Sequence, residues 1–359
     1  MTPFYDSTKS YDDNYQNGPF GDFATAPTDT FPKTISTNFL GFPLNIPFGI
    51  PAGPLLNSKF VTSAWKWGFS LNTYKTVRGN EYPCHPFPNV IKVDAKGDVK
   101  PGDTLIGDNN VNSIDVTRDG ITNSFGVPSR SPQIWQEDVR AGLKEMKPGN
   151  FMILSFMGTK KEGMTFEQYV EDFARTAKLA KDTGAPVLEV NFSCPNVGKE
   201  GLICNDIETS RAILEAVRPV RGNTPLLVKI GYFKKDDSIP EQLLEIIYQH
   251  ANGVAAINTI QAKVTDKDGK QILPGSPVRL MSGICGAAIR WAGLEMAERI
   301  MEVKKRKDWK DFVVIGVGGV TTPKDFKRYM NLGVNAVQSA TGAMWNPRLA
   351  LDIMRAQYA

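Results

Sequence analysis

The stretch "TFEQYVEDFARTAKLAKDTGAPVLEVNFS", residues 165–193, decides the fold class because it joins a helical pattern to a buried strand. Thr165 and Gln168 are spaced for a capping box, and Gly184 marks the end of the helix. The run 187–193 is apolar almost throughout, which predicts a strand covered on both faces. A helix followed by such a strand is typical of a parallel α/β fold. The apolar face of the helix comprises Phe166, Tyr169, Val170, Phe173, Ala177 and Ala180.

The same alternation of strand and helix patterns extends along most of the chain. Eight such units favour one closed (β/α)8 barrel, a TIM barrel, over an open doubly wound sheet. The expected strands are 46–52, 69–76, 151–157, 187–193, 225–231, 253–260, 312–319 and 336–341. Further helices are expected to start near Pro132, Thr209, Pro240, Ala287, Pro323 and Pro347.

Two segments lie outside this alternation. Residues 1–36 are polar and rich in Asp, Asn, Thr and Pro, which predicts a loosely ordered N-terminal arm ahead of a barrel at 37–359. Residues 77–131 form a long insertion after the second strand, without a helical pattern and rich in Pro, Gly, Asp and Asn. An insertion of this length in a compact domain is usually a lid or a wall of a functional site.

The composition excludes several classes of function. Hydrophobic residues at 41% and charged residues at 22% indicate a globular protein with a sizeable core. The net charge of +4 and the lack of a long basic run argue against nucleic acid as a partner. We find no signal-peptide pattern and no apolar run near the roughly 20 residues that span a bilayer, so we expect a cytoplasmic protein without a membrane partner. The spacing of the four cysteines and two histidines argues against zinc and iron–sulfur sites.

Polar residues stand at the ends of the predicted strands, where barrel enzymes carry their chemistry. Lys229 lies within the apolar run "PLLVKI" (225–230), where burial of an ammonium costs several kcal/mol unless an anion compensates it. A lysine that reaches the barrel rim, or one that pairs with a structural carboxylate, would explain the same pattern. Lys75, in "LNTYKTV" (71–77), allows the same alternatives.

Two glycine-containing stretches follow the last two predicted strands. "VIGVGGV" (314–320) offers bare backbone N–H groups ahead of a helix, and "SATGA" (339–343) repeats this one strand later. Barrels often bind phosphate after strands seven and eight, so we expect a phosphate site here.

Cys194 stands where the fourth predicted strand opens into a loop, between Asn191 and Asn196. A cysteine taken alone is most often an inert, small apolar residue, and we interpret Cys84, Cys204 and Cys285 in that way. At a strand end, however, nearby cations can stabilise a thiolate. Amide side chains can bind the alternating C=O and N–H edge of a pyrimidine or a flavin.

These motifs together resemble the dihydroorotate dehydrogenase family. "NFSCPN" (191–196) is highly specific, and the resemblance covers residues 38–358 in the family's order. The other motifs are "YKT" (74–76), "NSFGVPS" (123–129), "LLVKI" (226–230), "INTI" (257–260), "GVGG" (316–319) and "SATGA" (339–343). The resemblance implies an FMN-binding (β/α)8 barrel that oxidises dihydroorotate to orotate in pyrimidine biosynthesis.

The resemblance also implies roles for individual residues. Cys194 is expected to remove the C5 proton while hydride leaves C6 for flavin N5, with Lys75 near both molecules and the loop 193–201 closing over them. The expected substrate-binding residues are Lys75, Asn123, Ser124, Phe125, Gly126, Val127, Asn191, Asn196, Asn258 and Thr259. The expected cofactor-binding residues are Ala52, Gly53, Lys75, Thr76, Asn123, Asn191, Lys229, Asn258, Gly286, Gly318, Gly319, Ala340 and Thr341.

A cysteine at position 194 resembles the soluble class 1 enzymes, whereas membrane-bound members carry serine there. Within class 1, fumarate users are homodimers, and NAD users need an iron–sulfur partner subunit. No residue decides between them; we expect fumarate as the acceptor and a homodimer. The wall "GNEYPCHP" (79–86) and Ala340 depart from the family pattern.

Two other functions stay open from the sequence. A flavoenzyme like dihydropyrimidine dehydrogenase shares the cysteine, but its flavin domain lacks the loop that starts at Asn123. A barrel that binds a flavin without catalysis would have no use for a base at Cys194.

Overall fold

The computed structural model of the chain describes residues 3–28, 37–95, 97–193, 202–237, 239–276 and 278–358. The strands are β1 (Thr37–Phe39), β2 (Phe42–Leu44), β3 (Phe48–Gly49), β4 (Leu71–Val77), β5 (Lys92–Val93), β6 (Thr104–Asp108), β7 (Gly120–Asn123), β8 (Phe151–Phe156), β9 (Val187–Asn191), β10 (Leu226–Ile230), β11 (Gly253–Ala256), β12 (Ile260–Thr265), β13 (Met281–Gly286), β14 (Val313–Val317) and β15 (Ala336–Gln338). The α-helices are α1 (Tyr11–Asn17), α2 (Ser58–Lys66), α3 (Pro132–Lys144), α4 (Phe166–Lys181), α5 (Ile207–Arg221), α6 (Ile239–His250), α7 (Arg290–Arg306), α8 (Pro323–Asn331), α9 (Thr341–Trp345) and α10 (Leu349–Tyr358).

Eight strands form the main sheet, in the order β3, β15, β14, β11, β10, β9, β8 and β4. All neighbouring pairs in this order are parallel. The two outer strands also meet, because Ser70 N donates to Phe48 O at 2.9 Å and Thr73 N donates to Ile50 O at 2.8 Å. The sheet therefore rolls into a barrel whose eight strands coincide with the eight predicted runs, and the predicted (β/α)8 fold is confirmed.

The strands of the main barrel are buried because the helices cover them from outside. Every residue of β8, β9, β10 and β14 is buried. The hairpin β1–β2 covers the amino-terminal ends of the strands, since its Phe39 and Leu44 belong to one buried cluster with Phe151 and Leu227. With this end covered, the opposite end is left for a functional site.

Helix α4 begins as the sequence predicts. The Thr165 side chain accepts a hydrogen bond from Gln168 N at 3.3 Å, and the Gln168 side chain accepts one from Thr165 N at 3.0 Å. The predicted apolar face is only partly buried, because Phe166 lies in the first turn and is 48% exposed. Among the described residues, no helix combines the length and the apolar character needed to cross a bilayer.

The insertion 77–131 contributes to a second, smaller barrel. Its strands β5, β6 and β7 close a five-stranded barrel together with β12 and β13. Strands β12 and β13 were not predicted. The expected sixth strand at 253–260 is shorter than predicted, because β11 ends at Ala256 and β12 begins at Ile260. The insertion is thus folded, and it forms the small barrel together with β12 and β13 from a later part of the chain.

The described part of the N-terminal arm is folded, and the prediction of a loose arm is wrong for residues 3–28. Helix α1 has a capping box between Ser10 and Asp13. Four aromatic residues of this segment are at most 5% exposed: Phe4, Tyr5, Tyr11 and Phe23. The polar composition was misleading because burial of a few aromatic rings provides enough apolar contact to order a short segment.

Candidate active site

A cavity that opens to solvent is lined by residues of both barrels. The main barrel contributes residues from the carboxyl ends of its strands, including Lys75, Asn191 and Lys229. The small barrel contributes residues of β7 and β13, including Asn123 and Gly286. The cavity lies where barrel enzymes bind their substrates.

Most of the predicted site residues share this cavity. Every residue expected to bind the cofactor lines it, and so do three further substrate candidates, which lie in the loop after β7 and in the turn after β11. The lining residues are Ala52, Gly53, Lys75, Thr76, Asn123, Phe125, Val127, Asn191, Lys229, Asn258, Thr259, Gly286, Gly318, Gly319, Ala340 and Thr341. Ser124 and Gly126 belong to the same loop but do not line the cavity. Cys194 and Asn196 lie outside the described residues, as does most of the expected closing loop 193–201.

Lys229 is a buried cation that faces this cavity. Its side chain is 3% exposed, and its Nζ has no hydrogen-bond partner among the described residues. Burial lowers the pKa of its ammonium to about 8, and the nearby Glu189 carboxyl opposes this shift. A lysine that reaches the barrel rim does not fit, because Lys229 is buried, whereas the buried Glu189 is a carboxylate near enough to act on its pKa. A buried ammonium with a lowered pKa at a cavity wall is a candidate for ligand binding.

Glu189 is a buried acid that the sequence analysis missed. It lies on β9, opposite Leu227 of β10, and it is fully buried. Burial raises the pKa of its carboxyl, while Lys229 and Ser155 act in the opposite direction. The signal was present in "VLEVN" (187–191), where one carboxylate interrupts an apolar strand.

Lys75 is held by the loop that follows β7. Its Nζ donates to Thr76 O at 2.9 Å and to the carbonyl of Pro128. The same ammonium lies 5.8 Å from the centre of the Tyr11 ring. Lys75 therefore connects the main barrel, the loop 123–128 and the N-terminal segment at one point of the cavity wall.

Two of the predicted amides are fixed by hydrogen bonds. Asn191 Nδ2 donates to Thr76 Oγ1 at 3.3 Å, and Asn191 Oδ1 accepts from Ser193 N at 3.0 Å. Asn258 Nδ2 donates to the carbonyl of Ser193. Thr259 Oγ1 is buried and has no hydrogen-bond partner in the part of the chain that is described. These groups place several polar atoms at the cavity wall, as the binding of a planar polar ligand requires.

The turn after β14 contains the two glycines that belong to the expected phosphate site. Gly318 has φ +135° and Gly319 has φ +68°, both in the region that glycine favours. Arg290, which the sequence analysis missed, holds this turn: its Nε donates to Gly319 O at 2.7 Å and lies 3.0 Å from Asp325 Oδ1. The turn leads into α8, so its backbone N–H groups precede a helix of the kind that binds phosphate.

We expect Gly319→Ala to destabilise the protein and to weaken cofactor binding about tenfold. A Cβ at Gly319 would lie 2.5 Å from Arg290 Cβ and 2.6 Å from Arg290 Cα, so the backbone must move. Gly163→Ala is the matched control, because Gly163 has a similar φ of +78° but no atom within 4 Å of the added Cβ. Thermal unfolding and flavin titration of both variants measure the effect; equal losses in both would contradict a specific role of the turn.

The wall at 79–86, where the sequence departs from the family pattern, lies beside the loop 123–128. His85 N donates to Phe125 O at 3.0 Å, and burial lowers the pKa of the His85 imidazole to about 4. Burial also raises the pKa of the nearby Cys84 thiol to about 12. Both groups are therefore neutral near pH 7, and the interpretation of Cys84 as a structural residue stays a prediction.

The cavity fits the phosphorylated flavin that the sequence resemblance implies. The buried ammonium of Lys229, which has no hydrogen-bond partner among the described residues, suits an electron-rich ring, and the turn at Gly318 and Gly319 suits a phosphate. Between them, the lining includes the apolar side chains Ile257, Ile289, Val317, Val320 and Met344. A planar ring system needs this combination of apolar walls and a few fixed polar groups.

Comparison with known proteins shows the family of this chain. A family model described as dihydroorotate dehydrogenase matches residues 104–356. The chain is 38% identical to dihydroorotate dehydrogenase of Dictyostelium discoideum, over 97% of this chain and 96% of that protein. This similarity extends over nearly the full length of both proteins.

Two further relatives match a smaller part of the chain. Subunit PreA of the NAD-dependent dihydropyrimidine dehydrogenase of Escherichia coli K12 is 31% identical over 56% of this chain and 47% of that protein. The catalytic subunit of dihydroorotate dehydrogenase B (NAD(+)) of Bacteroides fragilis is 24% identical over 66% of this chain and 72% of that protein.

Proposed function

The chain belongs to the dihydroorotate dehydrogenase family, and from that premise we propose that it oxidises (S)-dihydroorotate to orotate in pyrimidine biosynthesis with FMN as cofactor. The observation that carries the proposal is the single cavity that gathers every residue expected to bind the cofactor. The family is flavin-dependent, and the polar groups of this cavity suit a flavin at one side and a pyrimidine at the other.

In this proposal the main barrel holds the cofactor. Ala52, Gly53 and Thr76 contact the flavin ring, and the Lys229 ammonium offsets the negative charge that the ring acquires. Backbone N–H groups of the glycine turn after β14, of Ala340 and of Thr341 bind the phosphate, with Gly286 on the same side. When bound, FMN supplies the acceptor for the hydride that leaves the substrate.

The substrate occupies the end of the cavity near Asn123. The amides of Asn123, Asn191 and Asn258, with the Thr259 hydroxyl, bind the alternating carbonyl and N–H groups of the pyrimidine ring. The Lys75 ammonium offsets the charge of the substrate carboxylate. Ser124, Phe125, Gly126 and Val127 shape the loop around it, and Asn196 completes the set.

We assign the base to Cys194. The C5 proton of dihydroorotate lies next to a carbonyl group, and its removal needs a positioned base whose pKa is close to neutral. A thiol starts near a pKa of about 8.5, so nearby cations need to shift it only modestly. The thiolate of Cys194 then takes the C5 proton as the hydride leaves C6.

Fumarate is our proposed electron acceptor, in a cytoplasmic homodimer of class 1 type. The cysteine at position 194 supports class 1, because it resembles the soluble members of the family; no residue decides between fumarate and NAD as the acceptor. The similarity to an NAD(+)-type catalytic subunit supports the alternative acceptor, but it covers only 66% of this chain.

Steady-state oxidation of dihydroorotate tests the function, with fumarate, NAD and a quinone supplied in turn. We expect turnover with fumarate, because this chain alone would complete the reaction without an iron–sulfur subunit. Turnover only with NAD and a second subunit would replace the proposed acceptor but keep the half-reaction.

Anaerobic reduction of the bound flavin tests the substrate. We expect reduction by dihydroorotate and little by dihydrouracil, because Lys75 would have no carboxylate to bind in the latter. The opposite preference would assign the chain to the dihydropyrimidine dehydrogenase type. Flavin binding without reduction by either compound would indicate a non-catalytic binding protein.

A further inference from the structure

The N-terminal segment 3–28 contributes two aromatic side chains to the cavity. Tyr5 and Tyr11 line it, although they precede the barrel in the sequence. Tyr5 is 3% exposed and Tyr11 is 5% exposed, so both rings are packed against protein. The sequence resemblance that begins at residue 38 assigns no role to this segment.

Both tyrosines contact Phe125, in the loop expected to bind the substrate. The centres of the Tyr5 and Phe125 rings lie 5.4 Å apart at an angle of 87°. The centres of the Tyr11 and Phe125 rings lie 6.2 Å apart at 64°. Edge-to-face pairs of this kind are directional, so two of them restrict how Phe125 can turn.

Tyr11 also contacts the other side of the same loop through Lys75. The Lys75 ammonium lies 5.8 Å from the centre of the Tyr11 ring, and it donates to the carbonyl of Pro128. A cation near a ring face is attracted to it by electrostatics. The segment therefore supports the loop 123–128 directly at Phe125 and indirectly at Pro128.

The segment is fixed by contacts away from the cavity. Phe4 N donates to Met344 O at 3.0 Å, and Asn57 Nδ2 donates to Tyr15 O at 2.7 Å. Asp12 Oδ1 lies 2.6 Å from an Arg130 nitrogen. These contacts anchor the tyrosines on the main barrel at several points.

The rings of the two tyrosines, rather than their hydroxyl groups, make these contacts. Tyr11 OH is buried and has no hydrogen-bond partner among the described residues. Loss of this hydroxyl should therefore cost little, whereas loss of the ring would remove the contacts to Phe125 and Lys75.

We propose that Tyr5 and Tyr11 are positioning residues for the substrate, so that the N-terminal segment is a wall of the active site. They act through Phe125 and Lys75, and they keep the loop 123–128 and the ammonium in the arrangement that binds the pyrimidine carboxylate. The ligand class, a pyrimidine carboxylate, rests on the proposed function. The positioning role adds a part of the chain outside the barrel to that site.

Orotate binding to the FMN-loaded protein tests the proposal, followed by the change that orotate causes in the flavin absorbance. We expect Tyr11→Leu to keep FMN but to raise the orotate dissociation constant about tenfold, the scale of one or two lost aromatic contacts. The KM for dihydroorotate should rise with it, and kcat should change less. Tyr11→Phe should recover most of the affinity because it restores the ring. Tyr5→Leu provides a second test should Tyr11→Leu not fold.

Phe23→Leu is the matched control. Phe23 is buried in the same segment, but it stacks on Phe4, with ring centres 4.3 Å apart, and it does not line the cavity. We expect this variant to lose thermal stability and to bind orotate like the wild type.

Three results would overturn the inference: unchanged orotate affinity in both leucine variants, an equal loss in Phe23→Leu, or a Tyr11→Phe variant as weak as Tyr11→Leu. A wild type that holds FMN but does not bind orotate would instead contradict the proposed function. The two failures are therefore distinguishable.

Discussion

Cys194→Ala is expected to slow flavin reduction by dihydroorotate by about three orders of magnitude while FMN stays bound. A positioned general base contributes about 10²- to 10⁴-fold, and alanine removes the only atom that could accept the C5 proton at this position. Substrate affinity should change less, because the amides and Lys75 supply it. Rapid mixing of the oxidised holoenzyme with dihydroorotate in the absence of oxygen measures this step directly.

Cys204→Ala is the matched control for this variant. Cys204 is 1% exposed, does not line the cavity, and burial raises the pKa of its thiol to about 11. Removal of its sulfur should reduce stability and leave the rate of flavin reduction near that of the wild type. Cys194→Ser should also be slow, because a hydroxyl in a site shaped for a thiolate is a weak base near pH 7. Near-wild-type reduction in Cys194→Ala would reject the assignment of the base.

Lys229→Met is expected to weaken FMN binding by roughly 10- to 100-fold. The ammonium is buried without a hydrogen-bond partner among the described residues, and a charged hydrogen bond contributes about 1.5–3 kcal/mol. Methionine fills a similar volume but provides neither charge nor donor. Titration of the apoprotein with FMN, followed by flavin fluorescence, measures the loss.

The pH dependence of FMN binding gives an independent check on Lys229. Its pKa is lowered from 10.5 to about 8, so the ammonium is present below pH 8 and is lost as the pH rises above it. FMN affinity of the wild type should therefore fall as the pH is raised from about 7 to about 10, while that of Lys229→Met stays nearly constant.

Lys304→Met is the matched control, because Lys304 is a half-buried lysine outside the cavity. It should keep both the affinity and the pH dependence of the wild type. A wild type whose affinity does not change over this pH range would argue against a charged contact between Lys229 and the flavin.

The main barrel could be predicted from the sequence because each of its units carries its own local pattern. The Thr165 capping box and the apolar run after it specify a helix and a strand without any distant partner. The small barrel could not be predicted in this way. Strand β5 has two residues, and β6 has a mixed burial pattern, so neither shows a clear period. The pairing of β6 with β12 and of β7 with β13 depends on contacts between remote parts of the chain.

The candidate site could be predicted where a polar residue interrupts an apolar strand or follows its end, as Lys229 and Asn191 do. Tyr5 and Tyr11 escaped this reasoning because they lie in a polar segment, and only the folded chain brings them to Phe125. Arg290 could not be predicted in this way, because a helical sequence pattern does not show which of its residues contacts the turn after β14.

The two-part origin of the small barrel has a consequence for the chain as it leaves the ribosome. Strands β6 and β7 are synthesised early, but the neighbours of their outer edges, β12 and β13, emerge only after three further strands of the main barrel, β8, β9 and β10, and then β11. During that interval the nascent insertion has uncovered strand edges, and such edges pair readily with other chains. We therefore expect the small barrel, which lines part of the cavity, to be prone to aggregation until β12 and β13 have been synthesised.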